Sequence, residues 1–373
     1  MAEKSKYIKQ KKNFYDHLLK FFDDENEVET DLLLEELMEN DNIEELKSTL
    51  RLILNISNNH YRTPLFDQKI NQILLLIFNN NKQVISNYDI FLIFKNNKRI
   101  LLLLIKNKII SIDQYVLQFI LNDETYYQFF YSEIKSYLSE KQQKQIEEEL
   151  LKIDIDIFST YENKREIGEN DTYIGSLIRQ DIVEEFITFV NKNNISLSNT
   201  TIPKSFFETN SFLLDKTPTL IEYSSFFGSI KIFKYLQMNN IQLTPSLWLY
   251  GIHSNNAEII GLLEENKVAP ENNNYEICLM ESIKCHHNDI ARYIKDNYIT
   301  YKTNSNENLS DEVKSVVVSS FNYLFFPNNN INCFSFYNLC NYDHIDIVNL
   351  LLQKGQINFE KNLIQKTKFL IGF

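Results

Sequence analysis

Apolar residues recur every three to four positions along most of this chain, in short runs rather than long ones. Ile43, Leu46, Leu50 and Ile53 share one helical face, as do Ile70, Leu74, Ile77 and Phe78, and then Tyr126, Phe130, Ile134, Tyr137 and Leu138. The spacing predicts a series of short helices from Phe14 to about Leu151. Asn clusters, Asn79-Asn80-Asn81 and Asn96-Asn97, separate the runs. Asn tolerates left-handed backbone angles, so it can end a helix where Gly is scarce. One stretch breaks the rhythm. Leu151, Ile153, Ile155 and Ile157 alternate with Lys152, Asp154 and Asp156, a period of two that predicts a strand or an extended connection. The charged stretch from Tyr161 to Asp171 then predicts a boundary between a helical N-terminal region, 1–160, and a second region, 170–373.

The second region repeats itself. Gly228-Ser229-Ile230-Lys231-Ile232-Phe233-Lys234-Tyr235-Leu236 aligns with Asn255-Asn256-Ala257-Glu258-Ile259-Ile260-Gly261-Leu262-Leu263. His286-His287-Asn288-Asp289-Ile290-Ala291-Arg292-Tyr293-Ile294 and Asp343-His344-Ile345-Asp346-Ile347-Val348-Asn349-Leu350-Leu351 follow the same scheme. A polar break comes first, then an apolar pair, then another pair one turn later. The matched anchors Ile232, Ile259, Ile290 and Ile347 stand 27, 31 and 57 residues apart. The last interval is close to two repeats, which predicts a worn copy between Ser310 and Phe326. An earlier copy, Asp181 to Asn194, places Ile182, Phe186, Phe189 and Val190 on one face. Each unit reads helix, tight break, helix, loop.

Composition narrows the class. With 373 residues, 43% of them hydrophobic and 13% aromatic, the chain has ample material for a buried core. Seven Gly and six Pro are too few for the turns of an all-β fold or for a glycine-rich phosphate loop. A net charge of −12 opposes the counterion release that drives binding to nucleic acid, so none is expected as partner. The acids are uneven: twelve Asp or Glu lie between Asp23 and Glu45, directly after Lys4, Lys6, Lys9, Lys11 and Lys12. That strip reads either as a solvated helix face or as a docking strip for a basic partner. The longest apolar runs, such as Ile100 to Ile105, are too short to span a membrane. Met1 to Asn13 lacks the apolar segment of a secretory signal, so a cytoplasmic location without membrane insertion is expected.

Chemistry-bearing residues gather late in the chain. Cys278, Cys285, His286 and His287 cluster, and Cys333, Cys340 and His344 follow. Both Cys pairs are seven apart, two helical turns along one face, whereas zinc sites commonly use closer pairs. Buried structural thiols are the plain alternative. Cys285 beside His286 suggests a thiol hydrolase, yet adjacent helical residues point about 100° apart. Neither a catalytic centre nor a bound metal or cofactor is expected.

The break that carries His, then two residues, then an Ile-Val pair resembles the ankyrin repeat. The closest fragment is Asp343-His344-Ile345-Asp346-Ile347-Val348-Asn349-Leu350-Leu351-Leu352-Gln353-Lys354-Gly355. Here His344 takes the family's His position and Gly355 its helix-ending Gly, with His287 matching His344 in an earlier copy. Ser224-Ser225 and Gly251 stand where the family has a small pair late in the first helix. The pattern departs in its scarcity of Ala, in Thr217-Pro218 standing two residues early, and in its short intervals. The stretches Pro218 to Ile230, Ser246 to Tyr250 and Ser282 to His287 are similar to the expanded ankyrin-repeat families of parasitic protozoa. The likeness covers about 170–360 and extends to the first 150 residues only by analogy.

The resemblance implies an all-α fold, an α-solenoid of degenerate ankyrin repeats with a helical N-terminal region. It also implies a non-catalytic module for protein–protein interaction, an adaptor or scaffold. Stacked helix pairs bury their stripes against one another and leave a rigid concave face and loop tips. Candidate partner contacts are Gln242, Thr244, Ser246, Trp248, Glu271 and Asn273; Trp248 is either a hot spot or core. A thiol- or metal-dependent enzyme and a purely structural spacer are the alternatives. The partner's identity and the oligomeric state stay open.

Overall fold

The 3.6-residue apolar period is realised as helix through most of the described residues. The computed structural model describes residues 2–23, 42–63, 65–80, 85–299, 309–326 and 333–353. Among them are twenty-one α-helices and no strand beyond one isolated bridge between Thr201 and Thr219. The first ten are α1 (Ala2–Asp23), α2 (Ile43–Asn59), α3 (Phe66–Asn80), α4 (Asn87–Phe94), α5 (Lys98–Lys106), α6 (Gln114–Leu121), α7 (Glu124–Phe129), α8 (Tyr131–Ile134), α9 (Glu140–Ile153) and α10 (Ile157–Ile167). Pairs follow: α11 (Tyr173–Arg179) with α12 (Val183–Lys192), α13 (Leu220–Phe226) with α14 (Ile230–Met238), and α15 (Leu247–His253) with α16 (Ala257–Glu265). The last are α17 (Tyr275–Lys284), α18 (Asn288–Tyr298), α19 (Asp311–Ser319), α20 (Cys333–Asn341) and α21 (Ile345–Gln353). None of the described helices is long and apolar enough to cross a membrane.

The tight breaks share one backbone device. Asp181, Gly228, Asn255, His286, Phe321 and Asp343 all have left-handed angles, with φ of 52°, 65°, 50°, 60°, 58° and 57°. At five of the six, all but Asn255, the amide one residue later donates back to a carbonyl near the end of the first helix. Ile182 N reaches Leu177 O at 3.1 Å, Ser229 N reaches Ser224 O at 2.9 Å, and His287 N reaches Ser282 O at 3.0 Å. Asn322 N to Val317 O and His344 N to Leu339 O repeat the arrangement at 3.1 and 2.9 Å. This bond satisfies a carbonyl that the helix end would otherwise leave open. The worn copy between Ser310 and Phe326 has its first helix, α19, and its break at Phe321, but 322–326 form no second helix.

The same break also ties one pair to the one before it. Ser229 Oγ donates to Ile178 O at 2.5 Å, Asn322 Nδ2 to Ile283 O at 2.9 Å, and His344 Nε2 to Val318 O at 2.8 Å. In each case the donor follows a left-handed residue, and the acceptor lies three residues before the previous one. The four anchors Ile232, Ile259, Ile290 and Ile347 are buried, each contributing roughly 1.5–3 kcal/mol. Gly251 permits a close approach of its own pair's second helix: a Cβ there would stand 2.8 Å from Ile259 Cγ2.

The chain groups into two compact units, one of 1–56, 62–70 and 275–373, the other of 57–61 and 71–274. These limits do not coincide with a division between 160 and 170. Residues 161–167 are helical, and Tyr161 is buried. In the first unit the two ends of the chain meet. The Tyr15 hydroxyl lies 2.9 Å from His286 Nδ1 and accepts from Asn288 Nδ2 at 3.1 Å, while Arg51 pairs with Asp343 at 2.8 Å. Lys69 Nζ donates to Phe21 O at 2.6 Å, closing the C-terminal end of α1.

In the second unit the structure corrects two local expectations. Leu151 to Ile153 form the last turn of α9 and Ile157 opens α10, so the alternating stretch is a helix–helix corner rather than a strand. Its period of two is not used by a sheet, because no neighbouring strand is present to pair with it among the described residues. The face from Tyr126 to Leu138 is not one helix either. It breaks at Phe130, where the Tyr161 hydroxyl donates to Gln128 O and to Phe129 O at 3.0 Å, and Arg165 Nη1 to Phe129 O at 2.8 Å. Side chains of α10 therefore take carbonyls that a continuous helix would use.

Arg165 is fully buried and forks onto Glu133 at 2.6 and 2.9 Å, with Glu162 at 2.7 Å. Its guanidinium lies 4.9 Å from the Tyr161 ring centroid. A bidentate, charge-assisted pair against an aromatic face is a strong way to hold a buried cation.

Candidate functional site

The loop tips between helix pairs are where this architecture leaves polar side chains open. Gln242, Glu271 and Asn273 are exposed. Glu271 to Asn273 form a short 3-10 turn in which Asn272 and Asn273 adopt φ of 55° and 53°, angles that Asn accepts more readily than other non-glycine residues. Thr244 and Ser246 are half-buried and bonded to each other at 2.8 Å.

Ser246 also donates to Glu222 Oε1 at 2.6 Å. Glu222 is not among the contact positions expected from the sequence. Its other oxygen accepts from Thr219 N and Oγ1 at 2.9 and 3.0 Å, and Thr219 Oγ1 accepts from Glu222 N. Thr219 and Glu222 thus cap α13 reciprocally while Glu222 holds the tip before α15. The Thr-x-x-Glu spacing before an apolar run was the available signal.

Trp248 belongs to the core and not to the surface. It is 0% exposed, and its indole Nε1 donates to Val268 O at 2.8 Å. An aromatic with its one donor satisfied internally offers nothing to a partner. The faces of the first helices are covered as well. Every residue of α13 except Glu222, and every residue of α15 except Leu249, is buried. Part of the cover comes from the long connection before α13. Phe212 packs against Phe226, Tyr250 and His253 with ring centroids 5.7, 5.1 and 4.0 Å apart, and Lys216 caps the Phe212 and Tyr250 rings. The expected open concave face is therefore filled along α13 and α15 by a segment of the same unit.

Most of the late cysteines and histidines are buried. Cys278 and Cys285 are buried, which pushes the Cys278 thiol up to about 12 and the Cys285 thiol well above its ordinary value. A thiol held in its neutral form is a poor nucleophile and a poor metal ligand. Cys340 is exposed, with its thiol raised by partial burial. The side chain of Cys333 lies outside the described residues. His344 stacks on Phe321 at 4.0 Å while bonding the Val318 carbonyl, and His286 is engaged with Tyr15. His287 is buried.

Of the acidic strip, 24–41 lie outside the described residues. At its edge Glu45 pairs with Lys11 at 2.6 Å, so one acid of the strip is matched by a base of the Lys-rich start. The closing segment Phe369 to Phe373 also lies outside them, as does Gly355. Comparison of the chain with protein-family models, curated proteins and solved structures found no match.

Proposed function

We propose that this chain is a non-catalytic protein–protein interaction module, an adaptor or scaffold built from degenerate ankyrin-type helix pairs. The observation that carries the reading is the recurring break: a left-handed residue followed by a side chain that bonds a carbonyl of the preceding pair. Where it recurs, this bond holds one pair against the preceding one, and neighbour-to-neighbour stacking is the principle of repeat proteins. It also holds the loops between pairs in place before any partner arrives, which lowers the entropy cost of binding.

Because the first-helix faces of α13 and α15 are filled, recognition falls to the loop tips. Gln242, Glu271 and Asn273 are the exposed contacts, supported from behind by Thr244, Ser246 and Glu222. The test is affinity capture with the full chain as bait, compared with a Gln242→Arg, Glu271→Arg variant. The reading expects a saturable protein partner whose affinity drops about tenfold or more in the variant, with helicity unchanged by circular dichroism. Capture of no saturable partner, or of one indifferent to both tips, rejects it.

A further inference from the structure

In the first unit a row of four side chains joins α1 to the break before α18, and the direction of its hydrogen bonds is fixed at one end. Asn322 Nδ2 donates to the Ile283 carbonyl at 2.9 Å. A carbonyl only accepts, so this end of the Asn322 amide is its nitrogen. The same nitrogen donates to Asn288 Oδ1 at 2.9 Å, which turns Asn288 Nδ2 toward the Tyr15 hydroxyl at 3.1 Å. The Tyr15 oxygen thus accepts from Asn288 and sends its own proton to His286 Nδ1, 2.9 Å away. Burial pushes the Tyr15 phenol upward, so it stays a donor. His286 Nδ1 is therefore an acceptor, and the imidazole is neutral with its proton on Nε2.

We propose that this row of bonds is an acid-sensitive latch: a proton on His286 Nδ1 breaks the bond from Tyr15 and loosens α1 from α17 and α18. With Nδ1 protonated, N–H meets O–H, and Tyr15 cannot turn its proton away because Asn288 donates from the other side. Tyr15 and His286 are both buried, so water does not take up the lost bond. His344 makes the contrast. Its Nε2 donates to the Val318 carbonyl, so a second proton at Nδ1 leaves that bond intact.

Charged groups lie near the latch on three helices: Asp16 and Asp23 on α1, Glu281 and Lys284 on α17, Asp289 and Arg292 on α18. Those on α17 pair with each other at 3.1 Å and those on α18 at 2.9 Å. Cys285 and His287 flank His286 and are buried, Cys285 with its thiol held neutral. Tyr323 sets its ring 6.3 Å from that of Tyr15, with His344 6.2 Å beyond it. Loosening α1 uncovers Tyr15, Leu18 and Phe22, all buried, so pH sets access to this face of the unit. The latch stands apart from the adaptor reading, since no loop-tip contact belongs to it.

The loosened state binds a proton that the docked state excludes, so docking is strongest above about pH 6.5 and weakens below it. The experiment is hydrogen exchange of the full chain between pH 7.5 and 5, read by mass spectrometry on peptides of α1 and α5. After correction for intrinsic exchange, the α1 opening constant, relative to that of α5, should rise about tenfold on acidification. His286→Asn puts an oxygen where Nδ1 stood, cannot be protonated, and suits φ of 60°, as Asn255 does at the aligned break. It should keep α1 protected at every pH. Asp in place of Asn288 (Asn288→Asp) accepts from both Asn322 and Tyr15, which frees the Tyr15 oxygen to accept from a protonated His286. There too the acid response should vanish. An α1 opening constant that does not change with pH in the wild type overturns the proposal. So does an acid response that persists in His286→Asn, or that is undiminished in Asn288→Asp.

Discussion

The chain turns sharply at Asp181 and again at Phe130, but the two turns are made of different material. At Asp181 the backbone does the work: one left-handed residue, and one amide bonded back to the helix it leaves. The same device serves Gly, His, Phe and Asp at four of the other five breaks, and Asn255 shares the left-handed angle, so the side chain is secondary. At Phe130 the angles are not left-handed (φ −99°, ψ 15°). There the helix stops because Tyr161 and Arg165, thirty or more positions later, occupy its carbonyls. A local device tolerates exchange, whereas a long-range clamp depends on particular residues.

The largest effect that separates the two should come from the clamp. Arg165→Ala strands Glu133, largely buried, and the Phe129 carbonyl, and should cost about 3–5 kcal/mol in urea unfolding. The half-exposed Glu162 adds little to that figure. Arg165→Lys should recover only part, because a single ammonium cannot fork onto a carboxylate and a carbonyl together. A loss below about 1 kcal/mol for the Ala variant would mean that packing alone breaks the helix at Phe130.

The second effect is a pH dependence in the same region. Lys98 is buried beside the Tyr126 and Phe129 rings and donates to Phe206 O, and burial pushes its ammonium down to about 8, against the pull of Asp123 and Glu208. Through Lys98 the unfolded chain therefore binds more protons than the folded one from about pH 8 up to the ordinary Lys value. The Lys98 contribution to stability rises with pH across that window, while the buried Cys278 and Cys285 thiols pull the other way as their unfolded counterparts ionise. Burial pushes the Tyr126 and Tyr161 phenols upward, and these favour unfolding once the unfolded phenols ionise near pH 10, which closes the window. The stability of the wild type relative to Lys98→Met should grow by on the order of 1–3 kcal/mol between pH 8 and 10. A difference that stays constant over that range would rule out Lys98 as its source.

The smallest effects belong to the local breaks. Gly228→Ala should cost about 1–2 kcal/mol, since Ala takes φ of 65° only with strain. Asn255→Gly should change stability by less than about 1 kcal/mol and leave the structure as it is. Both are read by thermal unfolding. Were Asn255→Gly as harmful as Arg165→Ala, the contrast between the two kinds of turn would be lost.

Much of the helical architecture was legible in the sequence. Leu46, Leu50 and Ile53 are buried as their spacing requires, and so are Ile70, Leu74, Ile77 and Phe78. The four aligned polar breaks all carry a left-handed residue, and all four anchors are interior. Periodicity failed where one pattern served two ends. Leu151, Ile153, Ile155 and Ile157 look alike in sequence, yet only Ile157 is buried. Among the candidate contacts, Gln242, Glu271 and Asn273 are open, but Trp248 is enclosed because Val268 offers its carbonyl twenty positions away. The 205–216 segment has no period to read, although Phe212 fills the face on which an open groove was expected.

Helix, break and buried stripe follow from the residues themselves, because a 3.6-residue period and a left-handed angle are settled within one or two turns of chain. Which faces stay open, which carbonyls are taken and which ends of the chain meet depend on groups brought from far along it. Tyr15 finds His286, and Arg51 finds Asp343, across more than 270 positions. No local pattern announces such encounters, since the energy of a buried contact depends on what surrounds it and not on what precedes it.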